Sequence, residues 1–409
     1  MPLNTLDNLI AANGDQSNST SALQNKVVLV RCDLNVPMAN GQVSDATRIQ
    51  RTAPTLRELC DQGAKVVVLS HFGRPKGKVV SDMSLGPIRK ALQSEAARPV
   101  NFVPACHGPL VEQALDNMIA GEILLLENTR FNAGEEANDA AFAKALAAVG
   151  DAFVNDAFSA AHRAHASTEG IAKLLPAYAG RAMQLELENL SKALETPEHP
   201  VIALVGGAKV STKLALIENL MVKADHLIIG GAMANTFLAA QGSPIGTSLY
   251  EPDLIDTAKA IWEKSKTNAC ELLLPLDVVA AESFDNEAPH KTYKLDQVPA
   301  DRMILDVGPA TIEMLAAKVR ASKTLVWNGP LGAFEMDNFA EGTSTVAQVA
   351  AEQTAEGELV SVAGGGDTVA ALAKADVLDN FTYVSTAGGA FLEWLEGQTL
   401  PGVAVLIKS

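Results

Sequence analysis

The feature that most limits the folds open to this chain is a regular alternation of short apolar runs with longer segments of helical period. The runs are rich in Val, Ile and Leu, and most are apolar throughout, as is typical of strands covered on both faces. Because helical segments separate the runs, they predict parallel β-α-β units. The predicted strands are Val27–Arg31, Lys65–Ser70, Val100–Val103, Glu122–Leu126, Ala152–Asn155, Val201–Val205, His226–Ile229, Glu271–Leu274, Thr324–Trp327, Leu359–Val362 and Thr382–Ser385.

A break near residues 180–200 divides this pattern into two parts. Leu185–Leu194 has helical periodicity, and the proline-containing segment 195–200 ends it before the strand that starts at Val201. A chain of 409 residues has the length of two domains. We therefore predict an α/β protein with two Rossmann-like, three-layer domains, residues 1–182 and 183–395, whose parallel sheets are joined by a helical hinge. The first 25 residues are polar, and we expect part of them to be loosely held.

The charge of the chain excludes some classes of partner. The chain has 32 Lys and Arg against 48 Asp and Glu, a formal net charge of −16. Such a chain repels nucleic acid and anionic membranes at long range, so we predict neither as a partner. Of the 12 arginines, however, 10 lie between Arg31 and Arg181. Because arginine binds carboxylate and phosphate through a rigid fork of donors, the first half is predicted to hold an anion.

Cysteine and histidine give no sign of a metal or redox centre. The cysteines are scattered, which is typical of buried thiols in a reducing compartment: Cys32, Cys60, Cys106 and Cys270. Three histidines follow strands without a carboxylate or cysteine at ligand spacing, so we predict phosphate contact or packing for His71, His162 and His165. No apolar run reaches the ~20 residues that span a bilayer, and the N-terminus lacks the basic and apolar parts of a secretory signal. We expect a soluble, cytoplasmic protein.

The residues that follow the predicted strands differ between the two halves. Ligands of open parallel sheets bind beyond the carboxyl ends of the strands. First-half strands lead into Arg-, His-, Asp- and Asn-containing segments, namely 31–37, 70–75, 127–131 and 155–165, and second-half strands lead into glycines at 206–207, 230–231, 329, 364–366 and 388–389. Glycine lets backbone N–H groups approach a phosphate, and the following helix points its N-terminus at the same place. Any one of these glycines taken alone is equally compatible with a plain turn.

Three charged residues stand beside the glycine turns of the second half. Lys209 and Lys213 are four residues apart on a helix predicted to begin near Ser211, which would place both ammonium groups on one face near its start. Asp367 ends a triple-glycine loop and is a candidate Mg²⁺ ligand, because Mg²⁺ prefers carboxylate and phosphate oxygens. Solvated surface lysines and a helix-capping aspartate are the alternative interpretations.

The motifs that carry these residues resemble those of one family. The Walker motif and the glycine loop, H-R-D and D-F-G of protein kinases are absent. The motifs present, in chain order, are R-C-D-L-N-V-P (31–37), S-H-F-G-R-P (70–75), E-N-T-R-F (127–131), N-D-A-F-S-A-A-H-R-A-H (155–165), G-G-A-K-V-S-T-K (206–213), W-N-G-P-L-G-A-F-E (327–335) and G-G-G-D-T (364–368). Long and jointly specific, they resemble the motifs of phosphoglycerate kinase, and the resemblance covers residues 26–402, nearly the whole chain.

The resemblance implies an N-terminal domain for 3-phosphoglycerate and a C-terminal domain for Mg-ATP or Mg-ADP, with residues 396–409 packed back on the first domain. The implied substrate contacts are Asp33, Asn35, Arg48, His71, Arg74, Arg130 and Arg163. The implied nucleotide contacts are Gly207, Lys209, Lys213, Gly308, Asn328, Glu335, Gly364, Gly365, Gly366, Asp367 and Thr368. Asp367 would bind the magnesium, and Glu335 would hold the ribose hydroxyls.

The implied reaction is reversible phosphoryl transfer between ATP and the carboxylate of 3-phosphoglycerate, which gives 1,3-bisphosphoglycerate and ADP in glycolysis and gluconeogenesis. A carboxylate is ionised at pH 7, so the reaction needs no general base, only positioning and neutralisation of phosphoryl charge. The candidates are Mg²⁺, the side chains of Arg48 and Lys213, and the backbone N–H groups of Gly388 and Gly389. Substrates on two domains imply closure, with a hinge near Glu186, and closure excludes water. We expect a monomer.

Three positions depart from the family pattern, each by a swap to a small residue. Ala232 and Ala387 stand where the family has glycine, and Ser159-Ala160-Ala161 stands where it has G-T-A. Ala387 matters most, because the two glycines that follow it are the ones expected to donate N–H groups to the moving phosphoryl group.

Two other functions make different predictions. A catalytically inactive nucleotide-binding protein of the same fold would have lost Lys213, Asp367 or the arginine set, all of which are present. A Rossmann-type dehydrogenase would carry G-x-G-x-x-G after the first strand of a domain, whereas these strands lead into R-C-D-L-N and G-G-A-K.

Overall fold

The chain divides into two compact units in a computed structural model, which describes residues 3–14 and 21–408. The first unit comprises Met1–Leu187 and Thr399–Ser409, and the second comprises Glu188–Gln398. The predicted bounds, 1–182 with 396–409 and 183–395, differ from this division by a few residues. The helix predicted over Leu185–Leu194 begins earlier, at Arg181, and continues across the division between the units.

The first unit contains a parallel sheet of six strands. Its elements in chain order are α1 (Leu6–Asn13), β1 (Val27–Arg31), β2 (Met38–Ala39), β3 (Gln42–Val43), α2 (Thr47–Asp61), β4 (Lys65–Leu69), α3 (Arg89–Ala96), β5 (Val100–Val103), α4 (Pro109–Asp116), β6 (Ile123–Leu126), α5 (Ala140–Ala147), β7 (Ala152–Asn155), β8 (Ala177–Ala179) and α6 (Arg181–Leu194). The sheet order is β5-β6-β4-β1-β7-β8, while β2 and β3 form a separate antiparallel pair.

The strand β1 occupies the centre of this sheet because its side chains are apolar on both faces. Val28 and Val30 are fully buried, and Val28 lies in register with Val66 of β4 and Ala152 of β7. The chain leaves β1 toward β4 and later returns to its other side at β7. The connections on the two sides of β1 run in opposite directions, and right-handed crossovers then place helices on both faces of the sheet. A crevice opens between β1 and β7, at the carboxyl ends of these strands.

The second unit contains a second parallel sheet of six strands. Its elements are β9 (Val201–Val205), α7 (Leu214–Met221), β10 (His226–Ile229), α8 (Ala232–Ala240), α9 (Ile255–Thr267), β11 (Glu271–Leu273), β12 (Asp277–Ala281), β13 (His290–Lys294), β14 (Met303–Val307), α10 (Pro309–Arg320), β15 (Thr324–Asn328), α11 (Glu341–Ala355), β16 (Val360–Gly364), α12 (Gly366–Lys374), β17 (Tyr383–Ser385) and α13 (Gly389–Leu395). After it comes α14 (Pro401–Ala404), which belongs to the first unit.

The strand order β11-β10-β9-β15-β16-β17 places the reversal of this sheet between β9 and β15. The glycine turns that follow these two strands therefore meet where a ligand of such a sheet is expected to bind. One buried cluster of this unit is aliphatic apart from Trp327 and Phe381, whose ring centroids lie 6.2 Å apart. Two α/β units with parallel sheets confirm the predicted fold class.

Parts of the fold were not predicted. The antiparallel sheet β13-β12-β14 of the second unit and the edge strand β8 of the first were missed. Part of the first 25 residues was expected to be loosely held. Residues 6–13 form α1 with Leu6 and Leu9 buried, and residues 15–20 lie outside the described part. No helix in the described ranges is long and apolar enough to cross a membrane.

Candidate active site

A cluster of polar side chains occupies the carboxyl end of β1 in the first unit. Asp33 lies two residues beyond the strand, and its Oδ2 accepts a hydrogen bond from Nη1 of Arg48 at 2.9 Å. Arg48 stands in the first turn of α2 and also donates to the carbonyl oxygen of Asn35 at 3.1 Å. The side-chain oxygen of Asn35 accepts from the Gly73 N–H at 2.9 Å. The loops after β1 and β4 are thereby tied together through residues predicted to bind substrate.

His71, which follows β4, lies deeper in this cluster. Its Nδ1 is 2.9 Å from Nη2 of Arg31, and Arg31 is fully buried. Burial lowers the pKa of the His71 imidazole well below its ordinary value, and the charge of Arg31 lowers it further. A guanidinium has no acceptor, so Nδ1 accepts this bond, and neutral His71 carries its proton on Nε2.

The other predicted arginines of the first unit differ in burial. Arg130 is half-buried, donates to the Gly73 carbonyl at 2.9 Å and pairs with Glu136 at 3.3 Å. Arg74 and Arg163 are exposed. Burial and the nearby Arg130 lower the pKa of His165 to about 4, which keeps this imidazole neutral. The first unit therefore concentrates positive charge on arginine and leaves its buried histidines uncharged.

Two members of the first-unit site were not among the predicted residues. Ser159, at a position where the sequence departs from the family, donates from Oγ to Oδ2 of Asp33 at 2.5 Å. Arg31 donates from Nε to Oγ of Ser167 at 2.9 Å, and Ser167 donates in turn to the buried Glu135 at 2.5 Å. Arg31 is the last residue of β1 and the first of the 31–37 motif, but the contacts implied by the resemblance begin at Asp33.

In the second unit, Lys213 joins the ends of β9 and β15. Its Nζ donates to the Gly206 carbonyl at 2.6 Å, to the Asn328 carbonyl at 3.2 Å and to the Asn328 side-chain oxygen at 2.6 Å. Burial lowers the pKa of the Lys213 ammonium to about 8, and the nearby Asp367 offsets part of that shift. The cation is thus held by neutral oxygens where the sheet reverses.

The prediction that Lys209 and Lys213 share a helix face was wrong. Residues 210–212 form a 3₁₀ turn, and the α-helix begins only at Leu214. Lys213 has φ −130°, outside helical values, and is half-buried, whereas Lys209 is exposed. The non-helical backbone at Lys213, with φ −130° and ψ 14°, ends the 3₁₀ turn before α7 begins.

Asn328 and Thr368 connect the predicted nucleotide loops to each other. Asn328 donates from Nδ2 to the Gly364 carbonyl at 2.7 Å, and Gly329 N–H donates to Oγ1 of Thr368 at 2.7 Å. A Cβ at Gly365, where φ is +100°, would lie 2.7 Å from Nδ2 of Asn328. The residues predicted around Lys213 therefore form one hydrogen-bonded framework.

A cavity of about 510 Å³ lies at this end of the second sheet. Three of the predicted nucleotide residues line it: Gly207, Glu335 and Asp367. Its apolar wall was not predicted and includes Leu249, Val278, Phe284, Leu305 and Leu331. Phe284 is 68% exposed and Leu249 56%, which is unusual for such side chains and leaves an apolar surface for a ring-shaped ligand group. These residues come from separate elements, so no motif marks them.

Asp367 provides an exposed carboxylate at this cavity. It lies in the first turn of α12 and faces the charge of Lys213. Among the described residues, no three His, Cys, Asp or Glu side chains form a group that could hold a metal by themselves. One carboxylate fits a Mg²⁺ ion that arrives with nucleotide phosphates and keeps other oxygen ligands.

Several glycines of the second unit are required by neighbouring backbone. A Cβ at Gly206 would lie 1.9 Å from the Pro330 carbonyl oxygen, and one at Gly231 would lie 2.6 Å from the Gly207 carbonyl oxygen. At Gly308 a Cβ would lie 2.4 Å from the carboxyl carbon of Asp277, which caps α10. Gly308 is buried behind this cap and is not among the cavity-lining residues. These glycines let loops pack closely whatever ligand binds.

The loop before α13 has a different reason for glycine. Gly388 has φ +56°, a left-handed conformation, and a Cβ there would meet nothing within 4 Å. Ala387 is buried, and its N–H donates to Oγ of Ser385 at 3.2 Å. Neither Ala387 nor Ala232 has positive φ, so alanine fits both positions where the family has glycine.

Comparisons with known proteins identify the family of this chain. A family model described as phosphoglycerate kinase matches residues 19–398. The chain belongs to the phosphoglycerate kinase family. Relatives named phosphoglycerate kinase include those of Chelativorans sp. (strain BNC1), 59% identical over 94% of this chain and 96% of the relative, and of Methylobacterium radiotolerans, 59% identical with the same coverage.

Solved structures of the phosphoglycerate kinase family also match. The structure from Coxiella burnetii covers 96% of this chain and 98% of that chain, with 44% identity and a TM-score of 0.87. The structure from Pyrococcus horikoshii OT3 covers 94% of this chain and 96% of that chain, with 30% identity and a TM-score of 0.77. Phosphoglycerate kinase membership rules out the dehydrogenase interpretation, and nothing in the comparisons supports a catalytically inactive protein.

Proposed function

We propose that this chain catalyses reversible, Mg-dependent transfer of a phosphoryl group between ATP and the carboxylate of 3-phosphoglycerate, giving 1,3-bisphosphoglycerate and ADP. The observation that carries the proposal is the position of Lys213. It lies at the reversal of the second sheet, where a Cβ on the cavity-lining Gly207 would be 3.6 Å from its Cε. A phosphate chain in the cavity would replace the carbonyl oxygens that now hold the ammonium.

In this proposal the first unit binds 3-phosphoglycerate. The exposed Arg74 and Arg163 and the half-buried Arg130 are suited to the phosphate, because guanidinium groups bind it through two donors at once. Asp33, Asn35 and His71 supply acceptors and a neutral donor for the hydroxyl and carboxylate. Arg48, held by Asp33 at 2.9 Å, is the cation assigned to the reacting end of the substrate.

The second unit binds the nucleotide in this proposal. The apolar wall receives the base, Glu335 the ribose and the 364–368 loop the phosphates, with Lys209 exposed beside them. Bound Mg²⁺ would neutralise phosphate charge from Asp367. Lys213 and the N–H groups of Gly388 and Gly389 would stabilise the transferring phosphoryl oxygens. The acceptor carboxylate is already ionised, so no residue has to remove a proton.

The cellular setting belongs to the same proposal. A net charge of −16 disfavours nucleic acid and anionic membranes as partners, and four buried free cysteines suit a reducing cytoplasm. We propose a cytoplasmic monomer that acts in glycolysis and gluconeogenesis.

The decisive experiment is a coupled assay of ADP formation from ATP and 3-phosphoglycerate by the full chain. ADP should form only when 3-phosphoglycerate and Mg²⁺ are both present, and chelation of Mg²⁺ should stop it. ADP binding without turnover would instead identify the catalytically inactive alternative. ATP hydrolysis without 3-phosphoglycerate would contradict the proposed acceptor.

A further inference from the structure

The cavity of the second unit contains a buried carboxylate that the proposed mechanism does not use. Asp306, near the end of β14, lines the cavity and is only 3% exposed. Its Oδ1 accepts from the Val307 N–H at 2.9 Å, and its Oδ2 accepts from the Gly342 N–H at 2.9 Å. Gly342 is the second residue of α11, so one carboxylate joins a wall strand to the start of a helix of 15 residues.

Two glycines show how closely the surroundings pack on this carboxylate. A Cβ added at Gly332 would lie 2.2 Å from Oδ1 of Asp306, and one at Gly342 would lie 2.6 Å from the same atom. Neither glycine has positive φ, so backbone conformation does not require glycine at either position. At Gly332 a side chain would first meet Asp306, and at Gly342 it would meet Cγ2 of Val307 at 2.4 Å as well as Asp306.

The cavity loop 330–333 is fixed to the two elements that Asp306 connects. Ala333 N–H donates to the Leu305 carbonyl of β14 at 2.8 Å, and Leu331 N–H donates to Oγ1 of Thr343 in α11 at 3.0 Å. The Leu331 carbonyl accepts from Gly231 N–H at 2.8 Å, across the glycine turn after β10. The loop then leads to Glu335, the candidate ribose contact. The position of this whole wall depends on how β14 and α11 are held together.

The charge of Asp306 is set by what surrounds it. Burial raises the pKa of this carboxyl to about 7, while the two N–H donors lower it and the charge of Glu341, at the start of α11, raises it. The paired strand β12 contributes the apolar Val279, and the loop contributes Gly332, so neither adds a charge. An ionised carboxylate accepts both N–H bonds through charged oxygens, whereas protonation removes that charge and turns one oxygen into a hydroxyl, which is a weaker acceptor.

We propose that Asp306 is a positioning residue for nucleotide binding, whose ionised carboxylate holds α11 and the 330–333 loop in the shape that receives the nucleotide. This inference rests on the proposed function, since it takes the cavity as the nucleotide site. Asp306 acts through the wall and need not touch the nucleotide phosphates.

The chain offers a matched control for a variant of this carboxylate. Asp156 in the first unit is also buried, at 4% exposure, and it caps α6 through the N–H groups of Ala182 at 2.9 Å and Met183 at 3.2 Å. Burial raises its pKa to about 6. Asp156→Asn therefore removes a buried helix-capping carboxylate without touching the cavity.

The experiment measures Mg-ADP binding by calorimetry at pH 8 and pH 6 for the wild type, Asp306→Asn and Asp156→Asn. At pH 8, Asp306→Asn should weaken Mg-ADP binding about tenfold, because it loses a charged acceptor of two bonds, and Asp156→Asn should change it less than twofold. The affinity of the wild type should fall from pH 8 to pH 6 by more than that of Asp306→Asn. ADP's own ionisation affects all three proteins alike.

A second measurement needs no variant and so does not depend on the folding of Asp306→Asn. Adenosine carries no phosphate to titrate, and its binding to the wild type, followed by NMR, should weaken from pH 8 to pH 6. Adenosine affinity that does not change with pH would overturn the inference. So would Asp306→Asn that binds Mg-ADP as the wild type does, or Asp156→Asn that weakens binding equally.

These outcomes separate the inference from the proposed function. Wild-type turnover of ATP and 3-phosphoglycerate together with an unaffected Asp306→Asn would remove only the role of Asp306. Absent turnover together with Mg-ADP binding that depends on Asp306 would remove the proposed reaction and leave this role in place.

Discussion

The two units place their sites at the same end of similar sheets, yet they build them from different parts of the chain. The first uses side chains, with Arg48, His71 and Arg130 projecting from separate segments of the chain. The second uses backbone, with glycine turns packed against one another and the half-buried Lys213 at their junction. A small, highly charged acid offers little surface, so it needs many charged donors, whereas a nucleotide offers a base that an apolar cavity can hold.

The positive charges are also held differently before any ligand binds. Arg48 pairs with Asp33 at 2.9 Å and Arg130 with Glu136 at 3.3 Å, so a ligand must compete with carboxylates. The hydrogen bonds of the Lys213 ammonium all go to neutral oxygens, and burial lowers the pKa of this group. We therefore expect removal of charge to affect the second unit more strongly than the first.

The largest expected effect is that of Lys213→Ala. Turnover should fall on the order of 10²–10³, far more than Mg-ADP affinity, because the ammonium stabilises charge that develops during transfer. Steady-state kinetics and calorimetry together measure the two effects. Lys259→Ala, which removes an exposed lysine of α9, is the control for loss of charge alone. Near-normal kcat in Lys213→Ala would disprove the role given to this residue.

Arg74→Ala tests the first unit, whose site is built from charged side chains. The KM for 3-phosphoglycerate should rise about 10- to 100-fold through loss of a charged hydrogen-bond donor, while Mg-ADP affinity stays unchanged. Arg74 is exposed, so its removal should not unfold the unit. Arg98→Ala, which removes the partner of Asp61 on the same unit, should leave the KM as it is. Weakened Mg-ADP binding in Arg74→Ala would mean that the ligands are assigned to the wrong units.

The pH dependence of kcat/KM for ATP should follow the ionisation of Lys213. Its pKa is lowered to about 8, so the ammonium is charged below pH 8 and loses its proton as the pH rises. The value of kcat/KM for ATP should therefore lie about tenfold below its plateau at pH 9. Lys213→Arg keeps its charge in this range, and its profile should stay flat whatever its plateau. An identical alkaline fall in both proteins would assign the titration to another group.

The smallest effect should come from anions. Sulfate should raise the apparent KM for 3-phosphoglycerate by about two- to threefold over chloride at equal ionic strength, because it can occupy two arginine forks at once. The KM for ATP should show a smaller difference, since the second unit has no arginine cluster. Superimposable series in the two salts would leave only general screening and no discrete oxyanion site in the first unit.

The sequence located the parallel strands well because burial on both faces leaves an unbroken apolar run. It missed β13, where His290–Lys294 is mostly exposed and polar, and β8, where Ala177–Ala179 is too short to show a pattern. Both depend on partners supplied by distant parts of the chain. A strand held mainly by pairing to its neighbours carries little signal of its own.

The residues of the candidate site also differ in whether the sequence alone could predict them. Charged residues directly after strands, such as Asp33 and Asp367, could be predicted because the strand ends fix where they lie. Asp306 and Phe284 could not, because the cavity wall combines β14 with loops far away in the chain. The prediction that Lys209 and Lys213 share a helix face failed for a local reason, because Lys213 itself has a non-helical backbone and the α-helix begins only after it.

The segment that includes α14 has a consequence for how the molecule is made. Thr399–Ser409 belongs to the first unit, and Leu400, Val403 and Leu406 are buried there, although the whole second unit precedes them in the chain. A ribosome therefore finishes every residue of the second unit before it supplies the last pieces of the first. The half synthesised earliest is completed last, so the nascent first unit must keep an apolar surface uncovered while about two hundred further residues are translated.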